Sequence, residues 1–367
     1  MGVEPDSLIN FRGELIKSFE KVGKDVITGS LSLSIDQEKY FSQEKIKHYP
    51  VFFQRNRMNP FADIWSFFSI LNIYRQQRPE MVLAYTIKPI IWGGLAARIA
   101  GVKFYALVTG LGFAFQGEGY KRKLLTKFVS LLYKMALRHA AKVIFQNEDN
   151  RQLFVSRRIV PIEKTEVVNG SGADITYFSY SPKGLIDIGQ PIRFLCVARL
   201  LGEKGLREYA EAAGAVKRIY PKAEFVLVGP EDTSPDGIPI DEIQAWVSAK
   251  AVDYQGSAVD VRPFIQSSHV FVLPSYHEGL PRSIIEAMSI GRPVITTTAV
   301  GCRDTVEEGV NGFKVAVADT KALAEKMLWF IEHTEEIEPM GLASRRIAED
   351  KFDVHKVNAK MLEIMGL

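Results

Sequence analysis

The residues best placed to do chemistry lie in Pro274-Ser-Tyr-His-Glu-Gly-Leu-Pro-Arg-Ser-Ile-Ile-Glu-Ala-Met-Ser-Ile-Gly-Arg-Pro293. The apolar run Val270–Leu273 before it reads as a buried strand that Pro274 ends. Pro281 suits a first helical turn, and Gly291 with Pro293 suits a helix stop. On that helix Ile284, Ile285 and Met288 share a core-facing stripe, which leaves Glu286 on the face of Arg282. Glu278 and Glu286 therefore flank a helix N-terminus whose free backbone N–H groups suit an anion. An anion held between two hydroxyl-seeking carboxylates describes a sugar nucleotide. A second stretch, Ala198-Arg-Leu-Leu-Gly-Glu-Lys-Gly205, also follows a strand and opens a helix. It sets Arg199 and Lys204 where they could neutralise a diphosphate and stabilise its departure.

Other strand-end turns carry weaker signals. Gly229-Pro230 and the Gly256–Val261 turn suit contacts to a nucleobase, although turn chemistry alone explains their glycines. Lys88 and Thr109-Gly-Leu-Gly112 stand at strand ends in the first half of the chain and are read as lining a cleft. His277 has no ligand-spaced partner, and no Asp-x-Asp pair follows an apolar strand, so no metal site is expected.

The elements that must position these groups repeat as strand, loop and helix, an α/β pattern with ligands at the carboxyl edges of the strands. Helices are expected over Ser7–Phe19, over 59–78, after Thr86-Ile-Lys-Pro89 as far as Gly101, and over Tyr120–Ala141. Strands are expected at Asp25–Thr28, Val51–Phe53, Met81–Tyr85, Phe104–Val108, Val143–Phe145 and near Val167. A turn-rich linker at 181–191 leads to a second series at 193–198, 224–228, 252–254, 270–273, 293–297 and 312–315. The expected domains are residues 1–187, 188–350 and a C-terminal helix, 351–367, returning to the first domain. No apolar strand precedes Ser7, so the first sheet reads as lacking its opening strand.

Composition excludes several classes. The chain has 367 residues, 47% apolar and 24% charged, long enough for two cores and unlike a disordered protein. Lys88 and Pro89 interrupt the apolar region 81–100, which argues against a spanning helix. The polar N-terminus does not read as a signal peptide. Cys196 and Cys302 form no motif, and a reducing cytoplasm suits them. The net charge of +3 divides unevenly: residues 1–190 hold 26 Lys/Arg and 17 Asp/Glu, a balance of +9, leaving −6 for the rest. Six of the basic residues fall between Lys121 and Arg138, and no acid occurs from Gly119 to Asn147. A packed helix with a basic solvent face explains them, and so does a patch that meets anionic headgroups or a lipid-linked pyrophosphate. No nucleic-acid-binding motif accompanies them.

The Glu278-x7-Glu286 spacing, the Arg199/Lys204 pair and Gly170-Ser-Gly-Ala-Asp174 resemble the family 4 retaining glycosyltransferases of the GT-B fold, two doubly wound Rossmann-like domains facing a cleft. Thr86-Ile-Lys-Pro89 and Thr109-Gly-Leu-Gly112 are similar to members that assemble capsule, O-antigen or other glycans on polyprenyl diphosphate. The resemblance implies that Arg199 and Lys204 hold the donor diphosphate and promote its departure. Glu286 would accept from ribose hydroxyls and Glu278 would orient the donor sugar. The Gly279 and Leu280 amides lie near the phosphates, with Pro281, Gly229, Pro230 and Val261 completing the donor site. Arg12, Lys88, Thr109, Gly110 and Gly112 fall to the acceptor side. No cofactor or metal is implied, only a nucleotide sugar, expected to be a UDP-sugar. The implied partners are that donor, a lipid-linked glycan and an anionic membrane met through helix 121–142, with no nucleic acid. The implied place is cytoplasmic and peripheral, on the inner face of a bacterial plasma membrane. A sugar-nucleotide epimerase of the same fold, or a non-catalytic nucleotide-sugar or membrane-binding protein, are the alternative readings. Relatives often carry a cleft histidine where this chain has Thr109-Gly110.

Overall fold

The computed structural model describes residues 1–54, 60–111, 115, 119–184 and 189–367. The first half of the chain forms strands β1 (Ile27–Ser30), β2 (Lys47–Pro50), β3 (Met81–Tyr85), β4 (Lys103–Val108), β5 (Lys142–Phe145) and β6 (Thr165–Val167). Its helices are α1 (Pro5–Lys21), α2 (Ile35–Gln43), α3 (Pro60–Gln77), α4 (Ile87–Ala100), α5 (Tyr120–Leu137) and α6 (Glu148–Ser156). The second half adds β7 (Arg193–Val197), β8 (Glu224–Val228), β9 (Asp253–Tyr254), β10 (Val270–Leu273), β11 (Val294–Thr297) and β12 (Gly312–Val315). With them come α7 (Leu206–Ile219), α8 (Ile240–Ser248), α9 (Arg262–Ser267), α10 (Arg282–Ile290), α11 (Thr320–Glu332), α12 (Ile337–Ile347) and α13 (Val354–Met365). All the strand pairs among the described residues are parallel. Parallel neighbours need a crossover between them, which is why strands and helices alternate.

Two compact units result. One comprises Met1–Ser171 with His355–Leu367, the other Gly172–Val354. The boundary lies earlier than the 187/188 expected from composition, because the backbone after Gly172 bonds into the second unit. Ala173 N–H donates to Phe352 O, Ser181 N–H to Ile290 O, and the Lys183 N–H to the Glu338 carboxylate. Residues 185–188 of the expected linker lie outside the described residues.

In the first unit β3, β4, β5 and β6 form one sheet in that order, and β1 pairs only with β2. Met1–Val3 lies between the two sheets. Its amino group donates to Leu83 O at 2.7 Å and Tyr85 N–H donates to Met1 O at 3.0 Å. On the other side Gly2 N–H donates to Gly29 O and Leu31 N–H to Val3 O, both at 3.0 Å. Beside these residues a cavity of about 320 Å³ is lined by Leu15, Ile27, Ile70, Met81 and Leu83 among others. Helix α13 joins this unit through Met361 in its core and a Tyr105 hydroxyl that donates to Met365 O at 2.8 Å.

Two strands differ from their expected positions. The ladder of β1 and β2 pairs Ile27 with Lys47 and Ser30 with Pro50, so Asp25 and Val26 precede it and Val51–Phe53 follow it. Val51 and Phe53 are buried, and their apolar character marks core contact rather than a ladder. The remaining strands fall within a residue or two of expectation.

The second unit has one continuous sheet in the order β12-β11-β10-β7-β8-β9. Its first strand, β7, stands inside the sheet, with β8 on one side and β10 on the other. The strand order reverses between β7 and β10, and in such sheets the crevice beyond the carboxyl ends at that point receives ligands. Phe194, Leu195, Phe271 and Val272 on the two central strands are buried at 1% exposure or less.

Candidate active site

The candidate site residues of the second unit sit on loops that leave these strands at one edge. Arg199 and Lys204 follow β7, Gly229 and Pro230 follow β8, and Glu278 to Pro281 follow β10. Lys204 Nζ donates to Glu278 Oε1 at 2.7 Å, so the pair bridges the loops on either side of the reversal point. Both side chains are largely shielded, at 12% and 17% exposure. Burial works against the Lys204 charge, but the Glu278 carboxylate outweighs it and raises the ammonium above its ordinary pKa. The lysine therefore stays protonated at neutral pH.

Close approach of the backbone makes this arrangement possible. Gly205, at φ +70°, ends the turn carrying Lys204, and a Cβ there would stand 2.1 Å from Pro274 O. Only glycine lets the β7 loop reach the β10 loop at this point. Around it, Tyr276 N–H and Ser275 Oγ both donate to Glu203 O, at 2.8 and 3.1 Å. Glu278 N–H donates to Val300 O at 3.0 Å, so the loop after β11 supports the glutamate. Sequence reasoning missed this third loop, whose one local signal was Gly301.

Helix α10 starts where expected. Pro281 is the extended residue before it and Gly291, at φ +90°, ends it. Ile284, Ile285 and Met288 are fully buried. Glu286 accepts from Arg282 Nε at 2.7 Å one turn earlier. Burial raises the pKa of Glu286 while Arg282 opposes the shift. A group that supplies hydroxyl donors to its second oxygen would compensate that burial.

Arg199 Nη1 donates to Asp232 Oδ2 at 2.8 Å; Asp232 was not singled out by the sequence. Gly229 and Pro230 brace the same region. Gly229 N–H donates to Gly256 O at 2.8 Å, and Leu200 N–H donates to Pro230 O at 2.9 Å. Leu280 packs against the second core, as does Val261, which precedes α9. Among the described residues no three His, Cys, Asp or Glu side chains cluster as a metal ion would require.

The residues expected on the acceptor side belong to the first unit. Lys88, in the first turn of α4, is paired with Asp63 at 2.9 Å. Thr109 and Gly110 follow β4 at the carboxyl edge. Arg12 is 7% exposed, with its guanidinium 5.2 Å from the centre of the Tyr85 ring, and it lines the cavity beside Met1. Gly112 lies outside the described residues. Thr86, just before α4, holds φ +67°, a conformation costly for a β-branched residue and concentrated at functional sites.

Comparison with known proteins matches this geometry to a family. Residues 191–333 match the model of glycosyl transferases group 1, and residues 9–147 that of the glycosyl transferase 4-like domain. The chain is 28% identical over 338 residues to the N,N'-diacetylbacillosaminyl-diphospho-undecaprenol alpha-1,3-N-acetylgalactosaminyltransferase of Campylobacter jejuni, covering 89% of this chain and 87% of that protein. It is 30% identical over 278 residues to the UDP-Gal:alpha-D-GlcNAc-diphosphoundecaprenol alpha-1,3-galactosyltransferase of Escherichia coli, covering 70% and 67%. The crystal structure of Anabaena Alr3699/HepE in complex with UDP superposes with a TM-score of 0.77 at 19% identity, covering 100% of this chain and 98% of that one. The paired domain matches, the parallel sheets of both units and the loops at their carboxyl edges together place the chain in the group 1 glycosyltransferases of the GT-B fold.

Proposed function

We propose that this glycosyltransferase moves a sugar from a UDP-sugar to a polyprenyl-diphosphate-linked glycan during surface polysaccharide assembly, with retention at the anomeric carbon and without a metal ion. The observation that carries the donor reading is the Lys204–Glu278 pair across the reversal point of the second sheet, with Arg199 on the same loop. The bond between the sugar C1 and the β-phosphate oxygen breaks, and its electron pair stays on the phosphate. Lys204 and Arg199 neutralise that charge as it develops, the work a divalent cation does in other diphosphate sites. An acceptor hydroxyl bonds to C1 and its proton passes to the departing phosphate. Glu278 orients the sugar, and Glu286 takes the ribose hydroxyls. Removing one such electrostatic contact costs roughly 10²–10³ in rate.

The names of the Campylobacter and Escherichia relatives support a lipid-linked acceptor, and the UDP in the Anabaena complex supports a uridine nucleotide as donor. Helix α5 supports a membrane surface. Leu124, Phe128, Leu131 and Met135, spaced four, three and four residues apart, are all exposed, as are Lys123, Lys127 and Lys134 on the same helix and Arg138 at its C-cap. An apolar stripe flanked by bases suits the interface of an anionic bilayer. Among the described residues no helix is long and apolar enough to cross a membrane. Peripheral attachment to the cytoplasmic face of the plasma membrane is the place this reading gives the enzyme.

A thermal-stability screen of nucleotide sugars tests the donor, because a ligand that binds only the folded state raises the melting temperature. A UDP-sugar is expected to raise it, and no response to any nucleotide sugar would contradict the reading. Charge reversal at Lys123 and Lys127 should reduce sedimentation with anionic liposomes several-fold. Epimerised UDP-sugar formed without acceptor would favour the epimerase alternative.

A further inference from the structure

We infer that Asp232 is the positioning residue for Arg199, holding the guanidinium where the donor diphosphate meets it; this rests on the diphosphate reading above. Three observations converge. First, Arg199 is half-exposed on a loop, whereas Asp232 is 9% exposed, so the carboxylate is the fixed member of the pair. Second, the backbone around Asp232 is closed on itself. Ser234 N–H donates to Asp232 Oδ1 at 2.8 Å, Gly237 N–H donates to Ser234 O at 2.9 Å, and a Cβ on Gly237 would stand 2.0 Å from Asp232 O. Third, this loop is clamped onto the loop that carries the two cations. Leu201 and Gly237 form an antiparallel bridge. Ile238 N–H donates to Leu200 O, Gly202 N–H to Asp236 O, and Glu203 N–H to the Asp236 carboxylate, at 2.9, 2.9 and 2.8 Å.

The division of labour within the guanidinium follows. One oxygen of Asp232 is taken by the Ser234 amide and the other by Arg199 Nη1. A guanidinium offers five N–H donors in a fixed fork, so one bond to Asp232 orients the plane and leaves the others for phosphate oxygens. Burial alone would raise the Asp232 pKa, but the Ser234 hydrogen bonds and Arg199 outweigh it and hold the group below its ordinary value. It is therefore charged at neutral pH and can orient the arginine with no donor present. Without it, a long side chain on a loop would sample many rotamers, and that entropy would be lost on each binding event.

The inference predicts an effect whose sign distinguishes positioning from charge. By charge alone, Asp232→Asn removes a negative group near an anionic ligand and should tighten binding. Positioning predicts that Asp232→Asn weakens UDP binding by about tenfold, read by calorimetry, with the donor KM raised alongside. In an Arg199→Ala background the same change should leave affinity equal or slightly tighter, giving a coupling between the two sites. A loss that persists in the Arg199→Ala background would mean general damage to the loop and would overturn the inference, as would an Asp232→Asn protein that binds UDP as tightly as wild type. Asp232→Glu keeps the charge but shifts the carboxylate, and it should lose part of the affinity; full wild-type affinity would count against the geometry. Failure of the wild-type protein itself to bind UDP would instead overturn the donor reading beneath it.

Discussion

The two units arrange the same number of parallel strands differently. The second unit closes one sheet of six parallel strands whose central members, β7 and β10, are buried on both faces. The first unit distributes its six strands over two sheets, with Met1–Val3 bridging β1 and β3 and a cavity of about 320 Å³ beside that crossing. The cation–carboxylate pair assigned to the donor stands on the continuous sheet, at the one place where its strand order reverses. A continuous ladder holds two neighbouring loops at fixed separation, which brings Lys204 and Glu278 within hydrogen-bond reach of each other. The interrupted sheet gives its edge residues, Thr109 and Gly110, no comparable cross-loop contact among the described residues.

Truncations in the two cores measure the contrast most strongly. Leu195→Ala removes a side chain 1% exposed in β7, where close packing prevents collapse; it should cost the second unit about 4 kcal/mol in denaturant unfolding. Leu15→Ala acts beside the cavity of the first unit, where fewer neighbours are lost; the expected cost is nearer ~2 kcal/mol. Equal losses would remove the energetic basis of the comparison. Hydrogen exchange should follow the same order, with amides of β1 and β2 opening well before those of β7 and β10. Slower exchange in β1 than in β7 would reverse it.

A smaller effect concerns pH. His269 Nδ1 accepts from the Arg193 N–H of β7 at 2.9 Å. Burial, with Lys183, Arg292 and Arg193 nearby, lowers its pKa to about 4 from 6.5. The folded state thus holds the neutral ring, while the unfolded chain takes up a proton near 6.5. The contribution is complete above that pH and is lost as pH falls toward 4. The urea midpoint of the second unit should fall over that window, and His269→Asn should flatten the slope. An unchanged slope in the variant would place the titration elsewhere.

Much of this was legible in the sequence, and the failures have physical causes. Strands β3, β8, β10 and β12 fall where their apolar residues and strand-end turns placed them, most clearly β10, which is buried throughout and continuously apolar. Strands β1 and β2 were misplaced because β2, Lys47–Pro50, is polar, while the apolar Val51 and Phe53 beyond it serve the core. Arg199, Lys204, Glu278 and Glu286 could be chosen from residue type and position after strands. That Lys204 meets Glu278 could not, since strand order is a long-range property. Asp232 was hidden for a different reason. In Glu231-Asp-Thr-Ser-Pro-Asp-Gly237 it looks like ordinary turn chemistry, and only the folded loop aims its carboxylate at Arg199.

The central claim is that the Lys204–Glu278 pair marks the donor diphosphate site of a glycosyltransferase. The most direct test is transfer of labelled sugar from a UDP-sugar to a polyprenyl-diphosphate-linked acceptor, comparing wild type with Lys204→Ala at matched folded fraction. The account predicts transfer by the wild type and a loss of at least about 100-fold in the variant. Transfer by Lys204→Ala at the wild-type rate would contradict it.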